Sequence, residues 1–403
     1  MTVDSRIYWI WLAQALGAGE QAMGDLLDTF GSAAVIYTTI DKALREAGIP
    51  PRVVRKLKDK SLAEARAILN RVTEAGDWVL TPEDALYPVN LHRLADRPAA
   101  LYCRGTMPDM DARLTLAVVG TREPSEEGWR EAYSLSAGLA AGGAIIVSGG
   151  AKGIDAAAHA GAIESGGLTV AVMGCPVDKE YPIENRGLRQ RILADGGLLM
   201  SEYPHGIDCK CIYQIRNRLI AGMSHGVCLG ETPIPSGGLI TSRLGREQGK
   251  EVFALPGTLA GHRNDGAHRE IRNGAALITC AADVLEEYEA LFPGLLDLDA
   301  ARETQKLLDK HPAQKPAAEK AKRVTASKTV EPPVTAAPSP AECPETASAA
   351  AKRVYACLTD KPRPVDELAA ETGLPIPALL GALTELEMFS CAANAAGQQY
   401  YKL

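Results

Sequence analysis

The sequence predicts an α/β protein whose centre is an extended, doubly wound parallel sheet, with a helical domain before it and a small winged-helix-like domain after it. Three observations predict this. From about residue 116 to 288, short continuous apolar runs alternate with helical stretches, the pattern of parallel strands covered on both faces. Before them, apolar residues recur at threes and fours between glycine stops, as in short packed helices. After them, a stretch rich in Ala, Pro, Lys and Thr separates the sheet from a final segment that reads as three helices and a hairpin.

The elements follow in order. Residues 1–80 hold "YWIWLAQAL", "QAMGDLLDTFG", "TIDKALREAG", "PRVVRKLKD" and "SLAEARAILNRVTEAG", read as short helices. A proline-punctuated lead-in, 81–115, opens the sheet domain, which runs to about 295. Its strands are "LAVVG", "AIIVS", "LTVAVM", "LLMSE", "GVCLGE", "EVFALPG" and "AALIT". Residues 296–348 have little apolar surface to bury and are expected to form a disordered linker. Residues 349–403 form the winged-helix-like domain. Its third helix, "LPIPALLGALTELEM", carries Glu385 and Glu387 and no basic residue, so it is expected to pack against protein and not to read a duplex.

Composition bounds the function. The chain has 403 residues, 46% of them hydrophobic and 23% charged, within the soluble globular range. No apolar run approaches the roughly 20 residues that span a bilayer, and the apolar patch near the N-terminus reads as a helix start and not as a signal peptide. A cytoplasmic protein without a membrane partner is expected. Nine cysteines lack paired spacing and are expected to be reduced; Cys209-x-Cys211 is the one close pair, and no metal site or cofactor is expected. The net charge of −7 excludes a generally basic coat but not a local basic groove.

In a parallel sheet, ligands bind at the carboxyl ends of the strands, and those loops carry the chemistry. The first strand is followed by Thr121-Arg122, the second ends at Ser148 and continues as Gly149-Gly150-Ala151-Lys152-Gly153, and the third leads to Asn185 and Arg186. The fourth precedes Lys210, Tyr213, Arg216, Asn217 and Arg218, and the fifth precedes Ser236, Gly237, Gly238 and Thr241. Glycines let backbone amides approach phosphate oxygens, helix starts add partial positive charge, guanidinium groups take phosphates in bidentate fashion, and a tyrosine offers a stacking face for a base. Singly, each has a structural reading: tight corners for the glycines, helix ion pairs for Arg216 and Arg218, a solvated loop lysine, a core tyrosine. Asp155 and His159, four apart on one helix face, are read as structural. Agreement among several loops points to a polyanion more than to a lone coenzyme.

Two enzyme classes fit less well. The glycine turn is G-G-x-x-G and no acidic residue ends the next strand, against a dinucleotide-dependent oxidoreductase. There is no G-x-x-x-x-G-K-[ST], and "PSGGLITSR" carries no carboxylate for a nucleotide hydrolase, which stands as the alternative reading.

The segments "AVVGTREPSEEG", "IVSGGAKGIDAAAHAGAIESGG", "VMGCPVDKEYPIENRGL", "SEYPHG", "RNRLIAGMS", "SGGLITSRLGREQGKEVFALPG" and "IRNGAALI", in this order, resemble the DNA-processing protein A (DprA/Smf) family. The resemblance covers about residues 80–288. It implies a Rossmann-like domain that binds single-stranded DNA, protects incoming strands and helps load RecA recombinase during natural transformation, as a homodimer without catalytic activity. It implies a DNA contact for Arg122 and for Lys210 and Tyr213, which precede an R-N-R matched by Arg216-Asn217-Arg218. Gly150 and Lys152 stand where the family has a small apolar residue and an arginine, and Tyr213-Gln214 replaces its Phe-Pro. The N-terminal helices resemble the family's SAM-like or helix-hairpin-helix domain, without its Gly-Val-Gly hairpin.

Overall fold

The computed structural model describes residues 4–207, 213–315, 348–359, 363–388, 391–395 and 399–402. Lys210 and most of the expected linker, residues 316–347, lie outside the described residues. By compactness the chain divides into two units, residues 1–322 and 323–403.

The first unit begins with six helices: α1 (Arg6–Leu16), α2 (Met23–Phe30), α3 (Ala33–Thr38), α4 (Asp41–Glu46), α5 (Pro51–Lys56) and α6 (Ala63–Glu74). Their core centres on Trp9, Ile10, Leu12, Leu26, Ile36 and Ile68. Glu20, in the turn between α1 and α2, accepts from Arg52 at 2.8 Å and Lys56 at 3.2 Å, which fixes α5 against that turn. Val79 and Tyr102 of the sheet insert into this same core, so the helical domain and the sheet edge share one interior.

The sheet has nine strands: β1 (Trp78–Leu80), β2 (Leu101–Gly105), β3 (Thr115–Val119), β4 (Ile145–Ser148), β5 (Thr169–Met173), β6 (Leu198–Ser201), β7 (Gly226–Leu229), β8 (Glu251–Ala254) and β9 (Ala276–Leu277). Their order is β1-β2-β6-β5-β4-β3-β7-β8-β9. β3 to β9 run parallel, while β1 and β2 form an antiparallel edge on β6. Every residue of β3, β4, β5, β6 and β7 is buried, which is why these strands read as unbroken apolar runs.

Helices α7 (Val89–His92), α8 (Glu126–Ala141), α9 (Ile154–Glu164), α10 (Arg186–Ala194), α11 (Tyr213–Met223), α12 (Gly237–Glu247), α13 (Asp265–Arg272) and α14 (Ala281–Glu286) flank the sheet. Ser125 starts α8 by accepting from Gly128 N at 2.9 Å, and Ser236 starts α12 by accepting from Gly238 N at 3.3 Å.

One segment expected to be linker is ordered. Residues Leu298–Lys310 form α15, capped by Asp297, which accepts from Ala300 N at 2.9 Å. Ala301 is fully buried, and Leu298 and Leu308 pack on the core that α8 and α14 cover. The apolar positions recur at helical spacing, so this stretch has a face to bury although its composition is polar.

In the second unit, α16 (Ala349–Cys357), β10 (Arg363–Pro364), α17 (Val365–Thr372), α18 (Ile376–Met388), β11 (Ala392–Ala395) and β12 (Gln399–Lys402) follow in order. The strands pair as β10-β12-β11, the winged-helix arrangement, over a core of Val354, Leu368, Leu379 and Leu383.

Candidate nucleic-acid interface

From β3 the chain steps through β4, β5 and β6 toward one edge of the sheet, then returns to place β7 on the other side of β3. The switch point therefore lies between β3 and β7, and the loops after those strands part there. A cleft of ≈ 890 Å³ opens at this place. Its walls include Thr121 and Arg122 after β3, Ser236 and Gly237 at the start of α12, and Tyr213 and Asn217 on α11.

Close glycine contacts hold these loops together. Gly153 has φ +82°, and a Cβ there would stand 2.3 Å from the Thr121 carbonyl oxygen, so the β4 loop lies directly on the β3 loop. A Cβ on Gly238 would stand 3.1 Å from Gly120 Cα, which places the start of α12 on the same loop. The Tyr213 ring lies over Gly174, at the end of β5, where a Cβ would meet Cδ1 at 3.1 Å. The loops after β3, β4, β5 and β7 thus converge on one edge, as the sequence required.

Arg122 is exposed, and its guanidinium carbon lies 4.1 Å from the centroid of the half-buried Tyr213 ring. The pair forms a flat cationic and aromatic platform at the cleft mouth. Among the described residues no carboxylate stands within ion-pairing distance of Arg122, which sets it apart from its neighbours. Lys152 pairs with Glu184, Arg186 Nε with Glu180 at 3.0 Å, and Arg263 with Glu231 at 3.3 Å. A compensated cation gains less from a phosphate, because its carboxylate must be displaced or tolerated.

The R-N-R triplet corrects the sequence expectation. Its two arginines do not present guanidinium groups to solvent; both are 4% exposed. Arg216 donates to the Gly149 carbonyl at 2.5 Å and to the Val172 carbonyl, clamping the ends of β4 and β5. Its guanidinium also backs the Tyr213 ring, at 5.7 Å from the centroid. Arg218, two residues on, meets Asp96 of the lead-in segment at 3.1 Å and Glu202, just after β6, at 2.8 Å. Asn217 accepts from Arg216 Nε at 3.2 Å and donates to the Gly237 carbonyl at 3.4 Å, linking α11 to α12. A triplet on one helix turn spreads its side chains over different directions, so three polar letters in a row do not make one surface.

Other predicted residues also serve as scaffold. Ser148 donates to the Val118 carbonyl at 2.6 Å, which ties β4 to β3. Asn185 donates to the Gly150 and Ala151 carbonyls at 3.0 and 2.9 Å and so fixes the glycine loop. Gly149 faces the Asp155 carboxyl and the Arg216 guanidinium, either of which a Cβ would strike at about 2.5 Å or less. Gly238 and Thr241 are buried beneath the cleft. Asp155 accepts from Ala151 N and His159 Nε2 from Gly150 N, both at 3.3 Å, while His159 Nδ1 meets Thr169 Oγ1 at 2.7 Å. Burial, with Arg216 nearby, pushes the His159 imidazole down to about 3. Burial raises the Asp155 carboxyl, against the pull of Arg216. Both residues hold the loop, as read from the sequence.

The sequence reading missed Glu123, Ile234, Pro235, Leu239, Ile240 and Arg269, which also line the cleft wall. The apolar letters of "TPIPSGGLI" were the available signal, since a strand-end loop has little other reason to carry them.

A doubly wound α/β protein with a cationic and aromatic cleft at its switch point is the class that this geometry defines. Residues 78–289 match the family described as DNA recombination-mediator protein A, and residues 335–398 match the DprA winged helix domain. The chain belongs to the DNA recombination-mediator protein A family. It is 29% identical to Protein Smf of Synechocystis over the full length of both chains. It is 40% identical to the DNA processing protein DprA of Streptococcus pneumoniae over 51% of this chain and 72% of that one. The crystal structure of the S. pneumoniae protein aligns with a TM-score of 0.61 at 31% identity, covering 71% of this chain and 99% of that one.

Proposed function

We propose that this protein binds single-stranded DNA along the strand-end edge and delivers it to a recombinase, as a recombination mediator and not as an enzyme. The observation that carries the reading is the Arg122–Tyr213 platform: an exposed guanidinium, without an ion pair among the described residues, stacked on an aromatic face at the mouth of the switch-point cleft. Backbone phosphates take the cation and unpaired bases take the ring, whereas a duplex keeps its bases stacked and out of reach. Membership of a DNA recombination-mediator family supports the choice of nucleic acid over other polyanions. In the finer reading, the protein is a cytoplasmic homodimer that protects incoming strands and loads RecA recombinase during natural transformation.

The nucleotide-hydrolase alternative needs an available carboxylate at the cleft. Glu231, which opens the loop after β7, accepts from Ser125 N at 2.9 Å and from Arg263 at 3.3 Å and is 3% exposed, so it is committed to structure, and the exposed Glu123 of the cleft wall is the carboxylate which that alternative would have to use. The deciding experiment compares binding of an unstructured single strand and its duplex across a salt series. Tight single-strand binding that weakens steeply with salt is expected; equal affinity for duplex, or release of base from nucleotides, would overturn the reading.

A further inference from the structure

Exposed apolar side chains are unusual in the loops of a phosphate site, and here they recur. Tyr181 (44% exposed) and Ile183 (53%) follow β5, Ile207 (40%) follows β6, Ile234 (49%) follows β7 and Leu259 (77%) follows β8. The cations Arg122, Lys152, Arg186 and Arg263 stand in loops of the same edge, after β3, β4, β5 and β8. Scattered surface hydrophobes need no explanation, but these share one edge of one sheet with those cations.

Tyr181 is the best placed of them. The ring of Tyr213 lies on Gly174. The chain then continues into Cys175, whose Sγ meets the Tyr181 carbonyl at 4.0 Å, so the loop carrying Tyr181 begins beneath the first platform. Arg189 donates to that same carbonyl at 2.6 Å, and Asn185 anchors the loop on Gly150 and Ala151. Tyr181 is therefore an exposed aromatic ring on a backbone fixed from below. Lys152, in the neighbouring β4 loop, is joined to this loop through Glu184.

We infer that the strand-end edge is a continuous track for several nucleotides of single-stranded DNA, with Tyr181 as a second base-stacking platform beyond Tyr213. This rests on the single-strand reading above and adds the path and the footprint. The strand runs across the sheet, perpendicular to the β-strands, so the strand spacing sets its length. From β6 to β8 there are five spacings. At about 4.8 Å each they span roughly 24 Å, which accommodates at most about seven nucleotides at the stacked rise of ~3.4 Å.

The test is a length series of oligo(dT) from three to twelve nucleotides, with the full chain and with Tyr181→Ser, Tyr181→Phe and Arg122→Glu. For the parent, affinity should climb with length and its slope should break at or below about seven nucleotides. Tyr181→Ser should leave the trinucleotide unchanged, weaken the longer strands about fivefold or more, and move the break to shorter lengths; Tyr181→Phe should restore the parent curve. Identical length curves for the parent and Tyr181→Ser would overturn the second platform. If Arg122→Glu then still abolishes binding, the single-strand reading survives without the track; if Arg122→Glu also binds as the parent does, both fall.

Discussion

Replacing Arg122 with alanine isolates a cation of the cleft mouth that makes no ion pair among the described residues. In the free protein its guanidinium rests on Tyr213 at 4.1 Å, and its side chain is exposed, so folding stability should change by no more than about 0.5 kcal/mol. In the complex it would make a charge-assisted hydrogen bond to a phosphate, an interaction of about 1.5–3 kcal/mol. That predicts a loss of affinity of roughly ten- to hundredfold for a single strand. Removing one phosphate-neutralising cation should also reduce the slope of log K against log salt by about 0.7 on a single strand. Fluorescence anisotropy with a labelled oligonucleotide at several salt concentrations reads both quantities. Lys152→Ala supplies the internal contrast: its charge is already met by Glu184, so its effect should be smaller. An Arg122→Ala protein with the parent affinity and the parent salt slope would refute the dominance of this cation, and with it the location of the site.

Other outcomes follow from the buried groups. Arg216→Met should destabilise the fold by about 3 kcal/mol or more in urea titration, because the Gly149 and Val172 carbonyls lose their donor and Asp155 its countercharge; unchanged stability would make Arg216 a candidate for direct DNA binding again. His159, held down to about 3 in the folded state, contributes stability that is present above its unfolded value of 6.5 and is lost as the pH falls toward 3. By pH 5 the loss should be about 2 kcal/mol, and a His159→Gln variant should show a flatter dependence of its urea midpoint on pH. Deleting residues 349–403 should leave single-strand affinity within about twofold, since the third helix of that domain carries no basic residue to neutralise phosphates; a large loss would assign that domain a direct role in binding.

Local sequence pattern was enough to place the seven parallel strands, though not the antiparallel edge of β1 and β2, and to select the side of the sheet that matters. Parallel strands buried on both faces must be apolar along their length, so their order and helical crossovers were legible in runs such as Ile145–Ser148 and Thr169–Met173. Once the strands were placed, the rule that ligands sit at their carboxyl ends selected the loops holding Arg122, Lys152 and Tyr213. The direction of a side chain was not legible, because it depends on what packs beside it. Arg216 and Arg218 are separated by one residue, yet one clamps two strand ends and the other pairs with Asp96 and Glu202 across the lead-in segment. Charge compensation was equally hidden: Glu184 meets Lys152 across 32 residues of chain. Composition also concealed α15, whose few apolar residues suffice only because the core beside α8 and α14 leaves a face for Ala301. Periodicity dictates which element forms, since it acts over a few residues. Which cation remains free for a ligand is a long-range property, settled only when distant loops meet.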